Sequence, residues 1–336
     1  MKNDFGLKID VFCHIIPAKF EEAIAKASKR PGGAETGSKM WDLDTRFRIM
    51  DRYQGYQQVL TLAMTGGAAE LISDPKKGPD MCKLVNDEMA DLVRKYPDRF
   101  PAAVASLPMM NMDAALEETD RAIKVLKLRG IQLFTPMNDR PLDSPDFLPL
   151  YEKMAAYKLP IWIHPTRSDD TPDYKGEKRS TYRIAHLFGW PFETTNAMTR
   201  LIHSGILETY PGIKFITHHA GGMVPFYAGR ITQFQDTDEM MRRGPFKLKL
   251  TQRPIQYYKM FFADTALNGN APALELAHKF FGPEHLLFGT DAPYDNTFGD
   301  RDIRETIRAV EEMNITEADR KKIYEDNARE LMRLAV

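Results

Sequence analysis

Three polar residues and one histidine pair stand where short apolar runs of the chain end. His14, His164 and Asp291 each end or follow such a run, and the doublet His218-His219 follows another. Imidazole nitrogens and a carboxylate oxygen are donors that Zn²⁺ and other first-row divalent ions accept. A lone buried histidine is usually a hydrogen-bonded core residue, but four positions of the same kind favour a shared ion. We therefore expect one divalent metal ion, with Zn²⁺ as the first expectation and Mn²⁺ as the second.

The apolar runs themselves predict eight β-strands. Most are rich in Val, Ile, Leu and Phe at consecutive positions, which suits strands that are covered on both faces. Amphipathic helical stretches separate them, so the chain is a series of βαβ units. The predicted strands are Leu7–His14, Gln57–Ala63, Ala102–Leu107, Gly130–Phe134, Pro160–His164, Lys214–His218, Met260–Asp264 and His285–Gly289.

Eight strands favour a closed (β/α)₈ TIM barrel, of the kind found in metal-dependent hydrolases, over an open doubly wound sheet. No Gly-x-Gly-x-x-Gly motif opens a helix after the first strand, which argues against a dinucleotide-binding fold. We expect residues 1–336 to form one barrel domain. Two insertions near 18–42 and 166–188 leave C-terminal strand ends, where barrels carry active-site loops or simple surface loops. Residues 316–334 predict a C-terminal helix.

Charge and composition exclude several classes of partner. The formal net charge of -1 gives no electrostatic reason to expect nucleic acid or an anionic membrane surface. No apolar run approaches the ~18 residues that a membrane span needs. The two cysteines, Cys13 and Cys82, do not suggest a disulfide framework, and the N-terminus lacks the apolar region of a signal peptide. We expect a cytoplasmic protein.

Strand alternation predicts which side chains face the barrel interior. Side chains two residues apart share a face, so Phe12 and His14 point together into the barrel mouth and Cys13 points away. Trp162 shares the inward face with His164 and is expected to form the floor of a substrate pocket. Of His218 and His219, only one can face inward if the strand stays regular through both. Phe12 is therefore expected to form an apolar wall of a pocket, and Cys13 is not expected to act as a ligand.

The motifs together resemble the amidohydrolase-related family that includes aminocarboxymuconate semialdehyde decarboxylase and γ-resorcylate decarboxylase. The resemblance covers nearly the whole chain, and its two C-terminal motifs, His-x-Gly-Gly and Gly-Thr-Asp-x-Pro, are fairly specific together. The family normally has His or Glu at position 12, where this chain has Phe12. The matching segments are Ile9–His14, Arg46–Asp51, Ile161–Pro165, His219–Phe226 with Gly229-Arg230, Phe288–Tyr294 and Asn327-Ala328.

The resemblance implies roles for particular residues. The metal ligands are expected to be His14, His164 and Asp291. His219 is expected to be the catalytic histidine, with Asp291 as its acid–base partner. Arg46, and Arg230 reaching from a neighbouring subunit of a homodimer, are expected to grip a substrate carboxylate, which a guanidinium can bind with two parallel hydrogen bonds.

These roles predict non-oxidative decarboxylation of a small aromatic or unsaturated carboxylic acid. Three protein ligands are still enough for a catalytic ion with an open position. One alternative is metal-dependent hydrolysis of an amide or a lactone. Because Phe12 cannot coordinate, another alternative is a partner subunit with an altered metal site in a heteromeric enzyme.

Overall fold

The structure, a computed structural model, describes residues 6–27, 37–64, 66–237 and 250–334. Within them, short buried strands alternate with helices along the chain. The strands are β1 (Lys8–Ile15), β2 (Tyr56–Leu62), β3 (Ala102–Ala103), β4 (Ile131–Thr135), β5 (Pro160–Pro165), β6 (Lys214–Thr217), β7 (Phe262–Asp264) and β8 (Leu286–Leu287).

Side-chain caps begin several of the helices. Asp42, Asn111 and Asn270 each accept a hydrogen bond from the backbone N–H three residues later, which satisfies a donor that the first helical turn leaves open. The α-helices are α1 (Ala18–Ala27), α2 (Leu43–Met50), α3 (Gly66–Ile72), α4 (Gly78–Lys95), α5 (Met112–Lys124), α6 (Leu148–Tyr157), α7 (Trp190–His203), α8 (Ile206–Thr209), α9 (Val224–Thr237), α10 (Pro254–Tyr258), α11 (Ala271–Phe281), α12 (Asp300–Glu312), α13 (Glu317–Lys321) and α14 (Asn327–Met332).

The strands form a closed ring of parallel neighbours. Strands β1 to β3 pair in order, and so do β4 to β8. A parallel bridge between Ala105 and Ile131 joins the two groups at one junction, and a bridge between Cys13 and Ala292 joins them at the other. At the second junction the backbone N–H of Asp291 donates to the Phe12 carbonyl at 2.9 Å. The predicted (β/α)₈ barrel is therefore confirmed.

The barrel is filled by its own apolar core, separate from the core between strands and helices. The inner cluster contains Ile9, Val11, Val59, Trp162 and Ile216, all nearly inaccessible to solvent. Leu331 and Met332 of α14 pack against it, so the C-terminal helical segment covers this core. That segment runs from 317 to 332, close to the predicted 316–334.

The predicted insertions have different structures. Residues 166–184 follow β5 as irregular backbone and lead through a π-helical turn, Ala185–Gly189, into α7. In the first insertion, α1 and a 3₁₀ turn at Gly37–Met40 flank residues 28–36, which lie outside the described part of the chain. The one-domain organisation stays a prediction. Among the described residues no helix combines the length and apolar character that crossing a bilayer requires.

A buried carboxylate fastens β1 to its neighbours just before the site. The carboxylate of Asp10 accepts hydrogen bonds from the hydroxyls of Tyr56 and Thr290, both at 2.5 Å, and from the backbone N–H of Phe12 at 3.0 Å. Burial raises the pKa of this carboxyl. The register of β1 against β2 shifts between Asp10 and Cys13, so the strand bulges where Phe12 enters the barrel.

Candidate active site

The sequence-predicted ligands lie near one another at the C-terminal ends of the strands. His14 Nε2 is 3.0 Å from Asp291 Oδ1, and His219 Nε2 is 3.4 Å from Asp291 Oδ2. The ring centroids of His14 and His164 are 5.3 Å apart. The side chain of His14 is fully buried, whereas Asp291 keeps 26% of its side chain exposed. The carboxylate therefore lies between two imidazoles and remains open to a bound molecule.

Hydrogen bonds at Nδ1 decide which nitrogen of each ring faces the site. The Thr61 hydroxyl donates to the Cys13 carbonyl at 3.0 Å and lies 3.3 Å from His14 Nδ1, so His14 Nε2 faces the site. His164 Nδ1–H donates to the Pro165 carbonyl at 2.7 Å. Nε2 of His164 is then the nitrogen with a lone pair, which is the form of histidine that binds a metal, whereas Nε2 of His14 donates to Asp291 Oδ1 at 3.0 Å.

Charge in the cluster divides between Asp291 and His219. Burial opposes ionisation of Asp291, but hydrogen bonds from His14 and His219 hold the pKa of its carboxyl well below the usual range. Burial also opposes a charged His219, yet the hydrogen bond and charge of Asp291 raise the pKa of this imidazole. Burial and the neighbouring His14 lower the pKa of His164 well below its ordinary value. The site therefore pairs the Asp291 carboxylate with an imidazole whose pKa it raises, beside His164, whose pKa burial lowers.

The backbone at both members of this pair is left-handed. The φ angles of His219 and Asp291 are 55° and 64°. For a residue with a Cβ this conformation costs ~1–2 kcal/mol, and it persists only where the surroundings hold it. Such strain often occurs at functional sites, and here it turns both side chains toward each other.

Phe12 occupies the middle of the cluster. Its ring is fully buried and stacks on His218, with centroids 3.5 Å apart and planes 16° apart. It meets the edges of His14 at 4.6 Å and His164 at 5.6 Å. Cys13 points to the opposite side of β1, where its thiol donates to the Asp10 carboxylate at 2.8 Å. The predicted directions of Phe12 and Cys13 thus match the structure, and the aromatic ring separates His218 from His14.

Both histidines of the doublet reach the interior, because β6 ends before them. His218 continues as extended backbone, and His219 turns into the left-handed region. His218 Nδ1 lies 2.7 Å from Asp264 Oδ2, and both side chains are fully buried. Burial raises the pKa of Asp264 to about 7. His218 therefore pairs with the Asp264 carboxylate and stacks on Phe12, while His219 pairs with the Asp291 carboxylate.

Arg46 lies behind the site and not at an open wall. Its guanidinium donates to the His14 carbonyl at 2.6 Å and to Gln58 Oε1 at 2.8 Å, and the residue is 5% exposed. These contacts fix the backbone that carries the His14 imidazole. The predicted contact between Arg46 and a substrate carboxylate stays a prediction.

The two remaining candidates lie at the surface and in the core. Arg230 is exposed on α9, with its guanidinium 4.7 Å from the ring centroid of Phe234. Trp162 is fully buried in the inner barrel core, and its Nε1–H donates to the Val11 carbonyl at 3.0 Å. Trp162 shares the interior with His164, as alternation predicted, but it packs in the core and does not line the cavity beside the cluster.

A cavity of about 800 Å³ lies next to the cluster, separated from its histidines and from Asp291 by Phe134 and Trp190. Phe134 and Trp190 form part of its wall, and their ring centroids lie 5.2 and 5.5 Å from that of His164. Arg167 and Glu193 line it as an ion pair at 3.1 Å. Its size and its mixture of aromatic and polar walls suit a small aromatic molecule.

Comparison with known proteins places this geometry in a family. The family model described as amidohydrolase matches residues 9–334. The chain belongs to this amidohydrolase family.

Curated relatives of this amidohydrolase chain include two decarboxylases. A γ-resorcylate decarboxylase from Polaromonas sp. is 30% identical over 314 residues, covering 89% of this chain and 90% of the relative. A 6-methylsalicylic acid decarboxylase from Penicillium expansum is 29% identical over 290 residues, covering 85% of each. A solved dihydroxybenzoic acid decarboxylase from Polaromonas sp., with bound manganese and the inhibitor 2-nitroresorcinol, matches with a TM-score of 0.80 at 26% identity, covering 98% of this chain and 97% of that one.

The donors of this amidohydrolase chain fit a divalent ion in type and partly in position. Two donors bound to one ion lie ~3.0–3.4 Å apart when each is ~2.1 Å from it. His14 Nε2 and Asp291 Oδ1, at 3.0 Å, have this separation. In the described part of the chain no three His, Cys, Asp or Glu side chains are placed to close around an ion. His14 and Asp291 are thus one edge of a site, and His164 must approach them to complete it.

Sequence reasoning missed Asp264 and Thr61. Asp264 ends a short buried strand, which is the same signal that identified His14 and His164. Thr61 lies within β2 and carries no comparable signal, because its importance comes from pairing with His14 across the sheet.

Proposed function

We propose that this chain catalyses non-oxidative decarboxylation of a small aromatic carboxylic acid. The observation that supports it best is the pair formed by Asp291 and His219, a carboxylate 3.4 Å from an imidazole whose pKa it raises, close to a cavity whose wall includes aromatic rings. The two decarboxylase relatives act on hydroxylated aromatic acids by their names, which supports the same substrate class here.

The reaction needs one proton delivered to a ring carbon. His219 gives up its hydrogen bond to Asp291 Oδ2 and donates this proton from Nε2 to the carbon that carries the carboxylate, and the bond between that carbon and the carboxylate breaks. Its electron pair stays on the ring, where it forms the new C–H bond, and carbon dioxide leaves. Asp291 holds His219 protonated until the transfer and stabilises the ring position of the imidazole. The buried Phe12 ring keeps this end of the site apolar, which favours loss of charge from the carboxylate.

A divalent ion would be held by His14, His164 and Asp291. When bound, it supplies Lewis-acid stabilisation of negative charge on substrate oxygens. The manganese of the Polaromonas sp. structure makes Mn²⁺ the first ion to supply in assays, ahead of the Zn²⁺ that the donor types suggested.

The decarboxylase proposal is tested with Mn²⁺-supplied protein and a set of hydroxybenzoates, by measuring carbon dioxide release and the phenolic product. We expect turnover with at least one acid and a loss of ~100-fold or more in His219→Gln, because general acid catalysis contributes ~10²–10⁴. His278→Gln, which changes a histidine of α11 near Asp319, is the matched control. Full activity of His219→Gln would show that His219 is not the proton donor. No turnover with any acid would contradict the proposed decarboxylase function.

Two other functions use the same barrel. One is hydrolysis of an amide or lactone, in which an activated water molecule would attack the carbonyl carbon of the substrate, and no proton would be delivered to a ring carbon. Two-ion members of the wider superfamily are expected to bridge their ions with a modified lysine at the end of β4. The sequence here is Gln132-Leu133-Phe134-Thr135, which contains no lysine. Metal analysis that found two ions per chain would reverse this argument.

The second alternative is a partner subunit with an altered metal site. It is favoured by Phe12, which fills the space of an expected ligand, and by the incomplete set of converging donors. Activity that required a second, related chain would support it, whereas turnover by the purified chain alone would exclude it.

We also propose a homodimer that uses the exposed face of α9. Phe226 and Phe234 are 75% and 52% exposed there, at a spacing that places them on the same side of the helix as Arg230. Arg230→Glu should shift the protein toward monomer in light-scattering measurements. A cytoplasmic location is part of the proposal, because Cys13 and Cys82 are buried and unpaired, as in reducing compartments.

A further inference from the structure

Gln132 is a buried amide in the wall of the cavity beside the histidines. The residue is 2% exposed and lines that cavity. Neither Oε1 nor Nε2 has a hydrogen-bond partner among the residues that the structure describes. A buried amide without partners is destabilising, so its presence calls for something that it binds.

The direction of Gln132 follows from its strand. Ile131 and Leu133, on either side, pack in the outer core against the helices. Gln132 therefore faces the barrel interior, on the same face as Phe134, whose ring centroid is 5.2 Å from that of His164. The amide lies one layer deeper in the barrel than these two rings.

The surroundings of the amide are apolar or already paired. Gln132 lies beside Trp162 in the register of β4 and β5, and Trp162 belongs to the apolar inner core. Ser106, also in the cavity wall, is fixed by Asn86, which binds both its backbone N–H and its carbonyl at 2.8 and 2.9 Å. The amide thus lies in a part of the cavity wall where the backbone is held rigidly.

We propose that Gln132 is a specificity-determining residue that recognises a ring hydroxyl of the substrate. A hydroxyl donates one hydrogen bond and accepts another, and a primary amide offers an acceptor oxygen and a donor nitrogen. Gln132 lies on β4, and Asp291 follows β8, which is four strands away around the barrel. The ring hydroxyl that binds Gln132 would therefore lie on the side of the substrate that is opposite Asp291. The assignment rests on the proposed function, since it requires an aromatic acid in this cavity.

Matched pairs of 2-hydroxybenzoates test this assignment. The two members of each pair carry either a hydroxyl or a methyl at the same further ring position. Dissociation constants are measured by calorimetry on Mn²⁺-supplied protein. For at least one pair we expect the hydroxyl member to bind about 10- to 100-fold more tightly, because the methyl member leaves the amide unpaired.

The variants Gln132→Leu and Gln132→Met should reduce this preference to about threefold or less, since they replace the amide by an apolar side chain of similar size. Gln256→Leu, at an exposed position, should leave it unchanged. Gln132→Leu should also raise the melting temperature, because it removes an unpaired buried amide. A lower melting temperature in both variants, with the preference intact, would make the amide structural and overturn the proposal.

Binding and turnover separate this assignment from the proposed function. If every pair binds with equal affinity, the subsite is wrong, while decarboxylation of either member leaves the function standing. If the hydroxyl preference depends on Gln132 but no acid is decarboxylated, the subsite stands and the function fails. If no hydroxybenzoate binds, both are wrong.

Discussion

Replacing Phe12 by histidine tests how the site works, because it places an imidazole where the family resemblance predicts a ligand. Phe12 is fully buried, stacks on His218 and lies between that ring and His14. Phe12→His should therefore lower the free energy of unfolding of the metal-free protein and raise its affinity for a metal ion. The two effects have opposite signs, so they can be measured separately.

The size of the first effect follows from the contacts of the ring. Loss of the aromatic pair removes ~0.5–1.5 kcal/mol. An imidazole nitrogen buried without a partner costs a further ~1–3 kcal/mol. Together these lower the free energy of unfolding by ~1.5–4.5 kcal/mol, which corresponds to a melting temperature about 3–9 °C lower at ~2 °C per kcal/mol.

Metal should recover this loss. An ion present at 100 times its dissociation constant stabilises the folded state by ~2.7 kcal/mol. We expect Mn²⁺ to raise the melting temperature of Phe12→His more than that of the native protein. Metal content measured by elemental analysis after dialysis should rise toward one ion per chain. Thermal unfolding is followed with a chelator present and then with excess Mn²⁺.

Phe100→His is the control, because Phe100 is equally buried but packs in the outer core with Phe47 and Tyr96. It should lose stability without any gain from Mn²⁺. If Phe12→His behaves like this control, with no increase in metal affinity, then position 12 is not a ligand position of the site formed by His14, His164 and Asp291.

Two further predictions concern groups outside the direct donors. Arg46→Met should lower the free energy of unfolding by ~1.5–3 kcal/mol in urea titrations, because it removes two charge-assisted hydrogen bonds, including the one to the His14 carbonyl; unchanged stability would contradict this. Burial and the charge of Asp295 raise the pKa of Asp302 from 3.8 to about 7. The folded protein therefore holds a proton that the unfolded chain releases, so stability falls as the pH rises from about 4 through 7. Asp302→Asn should flatten melting temperature against pH across this window, and an unchanged slope would contradict the assignment.

Much of the fold could be predicted because it depends on local patterns. Continuous apolar runs separated by amphipathic stretches are a property of neighbouring residues, and they gave the eight strands near their observed bounds. The shortest strands were the least accurate: β3 covers only Ala102–Ala103, where a longer run was expected. Beyond Ala103 the backbone pairs only through the single bridge at Ala105, so apolarity continues although the ladder does not.

The site divides in the same way. Alternation from Phe12 to His14 determined that Phe12 faces the interior and Cys13 does not, since side-chain direction has a period of two along a regular stretch of strand. Alternation could not decide which of His218 and His219 faces the interior, because β6 ends at Thr217 and the backbone turns left-handed at His219. That turn depends on contacts with β7 and β8, which are distant in sequence.

The sequence by itself therefore determined the barrel, the strand-end positions of His14, His164 and Asp291, and the inward direction of Phe12. Only the tertiary structure decided that Asp264 binds His218, that Arg46 supports the His14 carbonyl, and that Gln132 faces the cavity. These contacts join residues on different elements. Their partners are chosen by the closure of the barrel and by side-chain packing, and no local pattern in the chain encodes either one.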